Sequence, residues 1–197
     1  MGLLPIAHQA ERQQVTSMAH RRWSKKYVHR SFIIDMPRFF LHMRHMSDED
    51  FMRIAIDEAR SAGEKGEIPV GAIIVREGTI LVRAGNINRA SCDPTRHAEM
   101  EAIRAASRVL GNERLTYCEL FVTKEPCAMC AGAIVHARIA RLIIGTRDTK
   151  YGACGTVLSV CGNSPLNHVP EIVFGILEEE SACLLSTFFE NLRKKSG

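Results

Sequence analysis

The stretch ELFVTKEPCAMCAGAIVHARIARLIIG, residues 119–145, decides the fold. It opens on a β-branched and aromatic run at 119–123 and passes through a segment rich in small residues at 127–137. It closes on a second apolar run, Arg141-Leu142-Ile143-Ile144-Gly145. Strand, helix and strand in that order read as a crossover joining two parallel strands.

The same alternation continues on both sides. Upstream, 70–75 and 79–84 are β-branched runs separated by Glu77-Gly78, which reads as a tight hairpin turn. A helix over 97–110 presents Ala98, Ala102, Ala105 and Val109 as its apolar face. Earlier still, Ser47 caps a helix with Asp50 three residues on, and Phe51, Ile54, Ala55, Ala59 and Ala62 follow at helical spacing. Downstream, a weaker strand at 171–175 leads to a last helix at 178–194. The pattern predicts an α/β protein: a three-layer α/β/α sandwich around a mixed, mostly parallel five-stranded sheet.

Composition agrees with one globular domain. Of 197 residues, 46% are hydrophobic and 24% charged, which excludes a disordered chain, collagen and a small disulfide scaffold. No run approaches the ~18 apolar residues of a membrane helix. The first residues lack a secretory core, so a cytoplasmic protein is expected. The net charge of +4 divides unevenly. Residues 1–45 hold eight of the basic residues against Glu11 and Asp35, together with five of the eight histidines, while 46–197 is slightly acidic. Residues 1–45 thus read as a basic, His-rich extension and 46–197 as the folded domain. For the extension three readings stay open: a disordered basic arm for RNA, an organellar transit peptide, or sequence upstream of a natural start at Met46.

Two short segments carry chemistry. His97-Ala98-Glu99 opens one helix and Pro126-Cys127-Ala128-Met129-Cys130 opens the next. One imidazole and two thiolates form a ligand set that selects zinc, and three protein ligands leave the fourth tetrahedral position to water, as catalytic zinc sites do. Both cysteines sit where a helix dipole favours thiolate. Glu99 is placed to take a proton from that water. Residues two apart on a helix point about 200° apart, so His97 and Glu99 converge only if His97 stands before the first full turn. A thioredoxin-like redox pair is the competing reading of Cys127 and Cys130, but it leaves His97 and Glu99 without a task. Cys92, Cys118, Cys154, Cys161 and Cys183 read as small core or loop residues, and His136 and His168 receive no ligand role.

At these residues the chain resembles the zinc-dependent cytidine/nucleoside deaminases, whose signature is H-x-E followed by P-C-x-x-C. It is identified as a member of the bacterial tRNA-specific adenosine deaminases by Ile68-Pro69-Val70-Gly71-Ala72, Asn86, Asp93 to Glu99, Glu125 to Ala133, Arg147-Asp148, Asn167-His168 and Ser186 to Phe189. The resemblance implies a cytidine deaminase-like fold, one Zn2+ per subunit, a homodimer, and a tRNA anticodon stem-loop as partner. It implies hydrolysis of adenosine to inosine at the wobble position of an arginine tRNA. In that reaction zinc-bound hydroxide attacks C6 and Glu99 shuttles the proton. Asn86 is then the purine-binding asparagine, and Lys150, Asp148, Asn167 and Phe189 are candidates to meet the anticodon loop. At least one of Phe188 and Phe189 is expected in the core. Arg138, Arg141, Arg147, Lys150, Arg193, Lys194 and Lys195 are candidates for a phosphate-binding surface, with a solvated charge run as the alternative. Lys124 departs from the family pattern, which has an apolar residue there. Two other functions remain open: a deaminase of free guanine, cytosine or a nucleoside, and a non-enzymatic zinc module.

Overall fold

The structure is a computed structural model that describes residues 46–163 and 165–196. The three readings of residues 1–45 lie outside the described residues. Among the described residues nine elements follow in chain order: α1 (Asp48–Glu64), β1 (Gly71–Arg76), β2 (Thr79–Gly85), α2 (Ala98–Leu110), β3 (Cys118–Lys124), α3 (Ala128–Ala137), β4 (Arg141–Thr146), β5 (Glu171–Phe174) and α4 (Glu178–Ser196). Each lies within two residues of its expected limits.

The sheet runs β2-β1-β3-β4-β5. The hairpin turn at Glu77 and Gly78, with φ of 51° and 74°, sets β1 antiparallel to β2. Positive φ at both central residues is what a two-residue hairpin with native twist requires. β1 is also antiparallel to β3, whereas β3, β4 and β5 are mutually parallel. Four strands therefore run one way and β1 alone opposes them. The crossover expected at 119–145 is present as β3-α3-β4, a parallel pair, whereas β2 and β3, joined through α2, are not neighbours because the hairpin folds β1 between them.

Alternation along the strands fills both faces. Ala72, Ile74, Leu120, Val122, Leu142 and Ile144 pack with α2 and α3. Ile73, Val75, Phe121 and Ile143 pack with Phe51, Met52, Ala55 and Ile56 of α1, and Leu184 of α4 adds to the same layer. Phe51 meets Phe121 with ring centroids 5.2 Å apart, a contact worth about 1 kcal/mol beyond its area. α1 lies close on the sheet because of Gly71, where a Cβ would stand 2.0 Å from the Ala55 carbonyl oxygen. The capping box holds as read: the Asp50 N–H donates to Ser47 Oγ and the Ser47 N–H returns to Asp50 Oδ2.

Two expectations change. The buried stripe of α2 is Ala98, Glu99, Ala102, Ile103 and Ala106, so Ala105 and Val109 fall on its edge and Val109 is exposed. Arg141 is no phosphate ligand. Its guanidinium reaches Asp48, Glu119 and Glu171, tying the start of α1 to three adjacent strands. Among the described residues no helix is long and apolar enough to cross a membrane.

Candidate metal centre and active site

α2 and α3 begin side by side, and the residues that cap them are the ligand candidates themselves. His97 is the N-cap of α2, with φ −75° and ψ 157°, and Cys127 is the N-cap of α3, with φ −72° and ψ 173°. Neither side chain caps its own helix. At α2 that work falls to Asn86, whose Oδ1 accepts the Ala98 N–H at 2.8 Å, which frees the imidazole to turn outward. The extended backbone at His97 also removes the 200° conflict, so His97 and Glu99 line one cavity.

His97 Nδ1 lies 3.8 Å from Cys127 Sγ and 3.6 Å from Cys130 Sγ, and the two sulfurs are 3.8 Å apart. A tetrahedral zinc with Zn–S of about 2.3 Å and Zn–N of about 2.0 Å spaces its ligands about 3.5–3.8 Å apart. The triangle fits that ion without rearrangement. Among the described residues it is the single cluster of three such groups. The hydrogen bond between the Cys127 and Cys130 sulfurs, with help from His97, holds the Cys127 thiol down at about 3. Cys130 is pushed up by that same hydrogen bond and by burial. His97 is raised, chiefly by its bond to Cys127. Glu99 is buried, and desolvation raises its carboxyl above the usual range against the opposing pull of its own backbone and His97.

The cavity over the triangle measures about 360 Å³. Ile68 and Val70 form an apolar wall, and Asn86, Lys124, Glu125 and Asp148 supply polar groups. Asn86 spends one amide hydrogen on the Ile68 carbonyl at 3.1 Å and keeps a second. Asp148 lines the cavity with a carboxylate already engaged, by Lys124 Nζ at 2.7 Å and by the Lys150 N–H. Phe189 lines it and is exposed, while Phe188 is half-buried. Lys150 and Asn167 are exposed and outside the lining, and Arg138 donates to the Asn167 carbonyl oxygen. Arg147 lies over the Phe174 ring at 3.9 Å. A larger cavity of about 670 Å³ between α1 and α4 shares no residue with the triangle.

Asn88 and Tyr151 belong to the lining and had not been singled out, and Glu125, read only as part of the motif that carries the resemblance, lines it too. Glu125 accepts the N–H groups of Asp148, Cys154 and Thr156, so it clamps the loop after β4 onto the floor of the site. Its place beside Pro126 was the available signal. Nothing local marks Asn88 or Tyr151, since their course depends on how two loops pack.

Comparison with known proteins agrees with this geometry. The model of the cytidine and deoxycytidylate deaminase zinc-binding region matches residues 45–146. The tRNA-specific adenosine deaminase of Bacillus subtilis (strain 168) is 45% identical over 148 residues, covering 75% of this chain and 92% of that protein. A structure from studies of A-to-I editing by tRNA:A34 deaminases at the wobble position of transfer RNA matches with a TM-score of 0.67 and 46% identity, over 68% of this chain and 98% of that one. The guanine deaminase of Bacillus subtilis is 40% identical with a TM-score of 0.51, over 53% of this chain and 67% of that one. The matched region is a zinc-binding one, and His97, Cys127 and Cys130 are the residues that would hold one zinc ion per chain. The chain belongs to the cytidine and deoxycytidylate deaminase zinc-binding family and, within it, to the tRNA-specific adenosine deaminases.

Proposed function

We propose that the protein hydrolyses adenosine to inosine at the wobble position of a tRNA anticodon, that of an arginine tRNA, releasing ammonia. The observation that carries this reading is the His97–Cys127–Cys130 triangle with the buried Glu99 beside it, at the base of a cavity of about 360 Å³. Zinc held by the three residues supplies a nucleophilic water at neutral pH. Glu99 would take a proton from the attacking water and pass it to purine N1; the proton of the hydroxyl now on C6 would then pass through the same carboxylate to the amino nitrogen, which leaves as ammonia as the C6 carbonyl forms. Asn86 offers its remaining N–H to an acceptor on the base, and Ile68 and Val70 exclude water from the ring face. The target base must leave the stack, which costs little in an anticodon loop. In this reading Lys150 and Asn167, both exposed, meet the surrounding loop, and Asp148 acts on it through the backbone it holds.

We also infer a homodimer working in the cytoplasm. Val157 and Leu158, adjacent and exposed, support self-association.

A second reading has one observation behind it, the likeness to a guanine deaminase at 40% identity. One experiment separates the two. The full chain and Glu99→Ala are given a synthetic anticodon stem-loop with wobble adenosine, and in parallel free adenosine, guanine and cytosine. Inosine in the stem-loop alone, lost with Glu99, is the expected result. Turnover of free guanine beside an inert stem-loop would replace this reading with the second. A chain of residues 46–197 run alongside reports what the basic extension adds.

A further inference from the structure

We infer that Tyr151 is a substrate contact: its ring stacks on a nucleotide adjacent to the target adenosine at the mouth of the cavity. The inference rests on the RNA reading above and goes further by assigning a residue to the flanking nucleotide.

Tyr151 lines the same cavity as Glu99 and Asn86, yet it is 70% exposed. Its ring makes no aromatic or hydrogen-bond contact with the described residues. An exposed aromatic on a loose loop would mean little. Here the loop is fastened on every side. Asp148 Oδ1 accepts the Lys150 N–H at 2.9 Å, and the Asp148 carbonyl accepts the Gly152 N–H at 3.0 Å. The Gly152 carbonyl in turn accepts the N–H groups of Val157 and Leu158. Gly152 also lies so close to Glu125 that a Cβ there would stand 2.4 Å from Oε2. The residues on both sides of Tyr151 are pinned, so an exposed ring is held in place at little entropic cost.

A second ring lines the cavity from another element. Phe189 of α4, 41% exposed, is braced edge-on by Phe188 with centroids 5.6 Å apart. Extruding one base breaks its stacking with its neighbours, and those neighbours gain from a replacement π face. Two fixed rings from separate elements, with Lys150 exposed beside one of them, offer that face and a cation for the connecting phosphate.

The test uses full-length zinc-loaded protein and stem-loops carrying 2-aminopurine at each position flanking the target adenosine. Fluorescence quenching on binding reports stacking, and kcat and KM for inosine formation are measured on the unlabelled stem-loop. Tyr151→Phe should keep the quench at one flanking position and stay within about twofold of the wild type. Tyr151→Leu keeps apolar bulk without a π face. It should lose that quench and lower kcat/KM about 5- to 150-fold, mainly through KM. The high exposure of the side chain means neither change threatens folding. Wild-type behaviour in Tyr151→Leu, or an equal loss in Tyr151→Phe, would overturn the inference. So would a Tyr151→Leu defect accompanied by a changed sedimentation coefficient, which would make the residue a subunit contact. The wild-type arm tests the RNA reading by itself: if the wild type forms no inosine in the stem-loop, that reading fails and takes this one with it.

Discussion

Replacing Glu125 by Gln changes one atom and should cost the protein a large part of its stability. Oε1 of Glu125 accepts the N–H groups of Cys154 at 3.0 Å and Thr156 at 3.1 Å, and Oε2 accepts the Asp148 N–H at 3.1 Å. The side chain is buried, so all three bonds form away from water. Gln has one carbonyl oxygen. Its best orientation keeps that oxygen on Cys154 and Thr156 and turns its NH2 toward the Asp148 N–H, donor against donor. One bond to a charged acceptor is lost, two others become neutral, and one backbone donor is stranded. At about 1.5–3 kcal/mol for a charge-assisted bond and about 1–3 for a buried unsatisfied group, with partial relaxation, the net loss is about 2–4 kcal/mol. With a urea m-value of about 2 kcal/mol/M for a domain of this size, the midpoint falls by about 1–2 M. The assay is urea unfolding of zinc-loaded protein followed by far-UV circular dichroism, with limited proteolysis of the loop after β4 as a local readout. Glu125→Ala strands all three donors and should be at least as damaging. A Glu125→Gln midpoint within about 0.3 M of wild type, at unchanged m, would refute the clamp.

Three further outcomes follow from single contacts. Gly71→Ala forces a methyl into the Ala55 carbonyl and the Ala59 nitrogen, 2.0 and 2.5 Å from its ideal position. The strain should cost about 3 kcal/mol or more and lower the melting temperature by about 6–12 °C, and a calorimetric shift below about 2 °C would contradict the close packing. Cys130→Ser removes one corner of the triangle and should drop zinc, measured by elemental analysis after dialysis against a chelator, far below one ion per chain, whereas retention of one ion would show that Cys130 is not a ligand. Lys124→Met removes the cation beside the Asp148 carboxylate, leaving it only backbone donors, and should cost about 1–3 kcal/mol, restored in part by Lys124→Met with Asp148→Asn. Burial acts to raise the Asp148 carboxyl, but Lys124 and backbone donors outweigh it and hold the folded value below the ordinary one. Its contribution is therefore complete above about pH 4 and is lost only as pH falls through the folded value. The difference between wild type and Lys124→Met should be flat from pH 6 to 8, and a slope across that window would point to a different partner.

The catalytic candidates were legible because they are local. His97 and Glu99 share one segment, Cys127 and Cys130 another, and their chemistry needs only residue type and spacing. The capping box at Ser47 and the hairpin turn at Glu77 and Gly78 were legible for the same reason, since each is a motif of four residues or fewer. Legibility failed where distant segments meet. Arg141 looked like a free cation until Asp48 arrived from the start of the domain and Glu171 from the far strand. Val109 kept the helical period of its neighbours but sits at the rim of the stripe that the sheet covers. Tyr151 and Asn88 have no neighbours in sequence that betray the cavity they line, and Asn86 gave no sign that it caps α2.

Why the two ligand segments meet at all is a matter of strand direction. α2 follows β2 and α3 follows β3, so each helix begins near the end of the strand before it. Those two ends lie at the same edge of the sheet only because β2 and β3 run the same way, each antiparallel to β1 between them. Two strand spacings come to about 10 Å, which is also the distance at which two helices pack, and α2 does rest against α3. The single antiparallel strand therefore acts as a spacer that brings two helix N-termini level. Both termini carry the positive end of their dipoles, a poor environment for a cation by itself but a favourable one for thiolate. A soft metal held by two thiolates answers that field, since the sulfurs carry the negative charge the dipoles stabilise. With His97 and Cys127 at the caps, where the backbone is not yet helical, their side chains turn toward each other rather than around their helices. The hairpin at residues 77–78, a long way from the chemistry in sequence, is thus what places the imidazole of one segment against the thiols of the other.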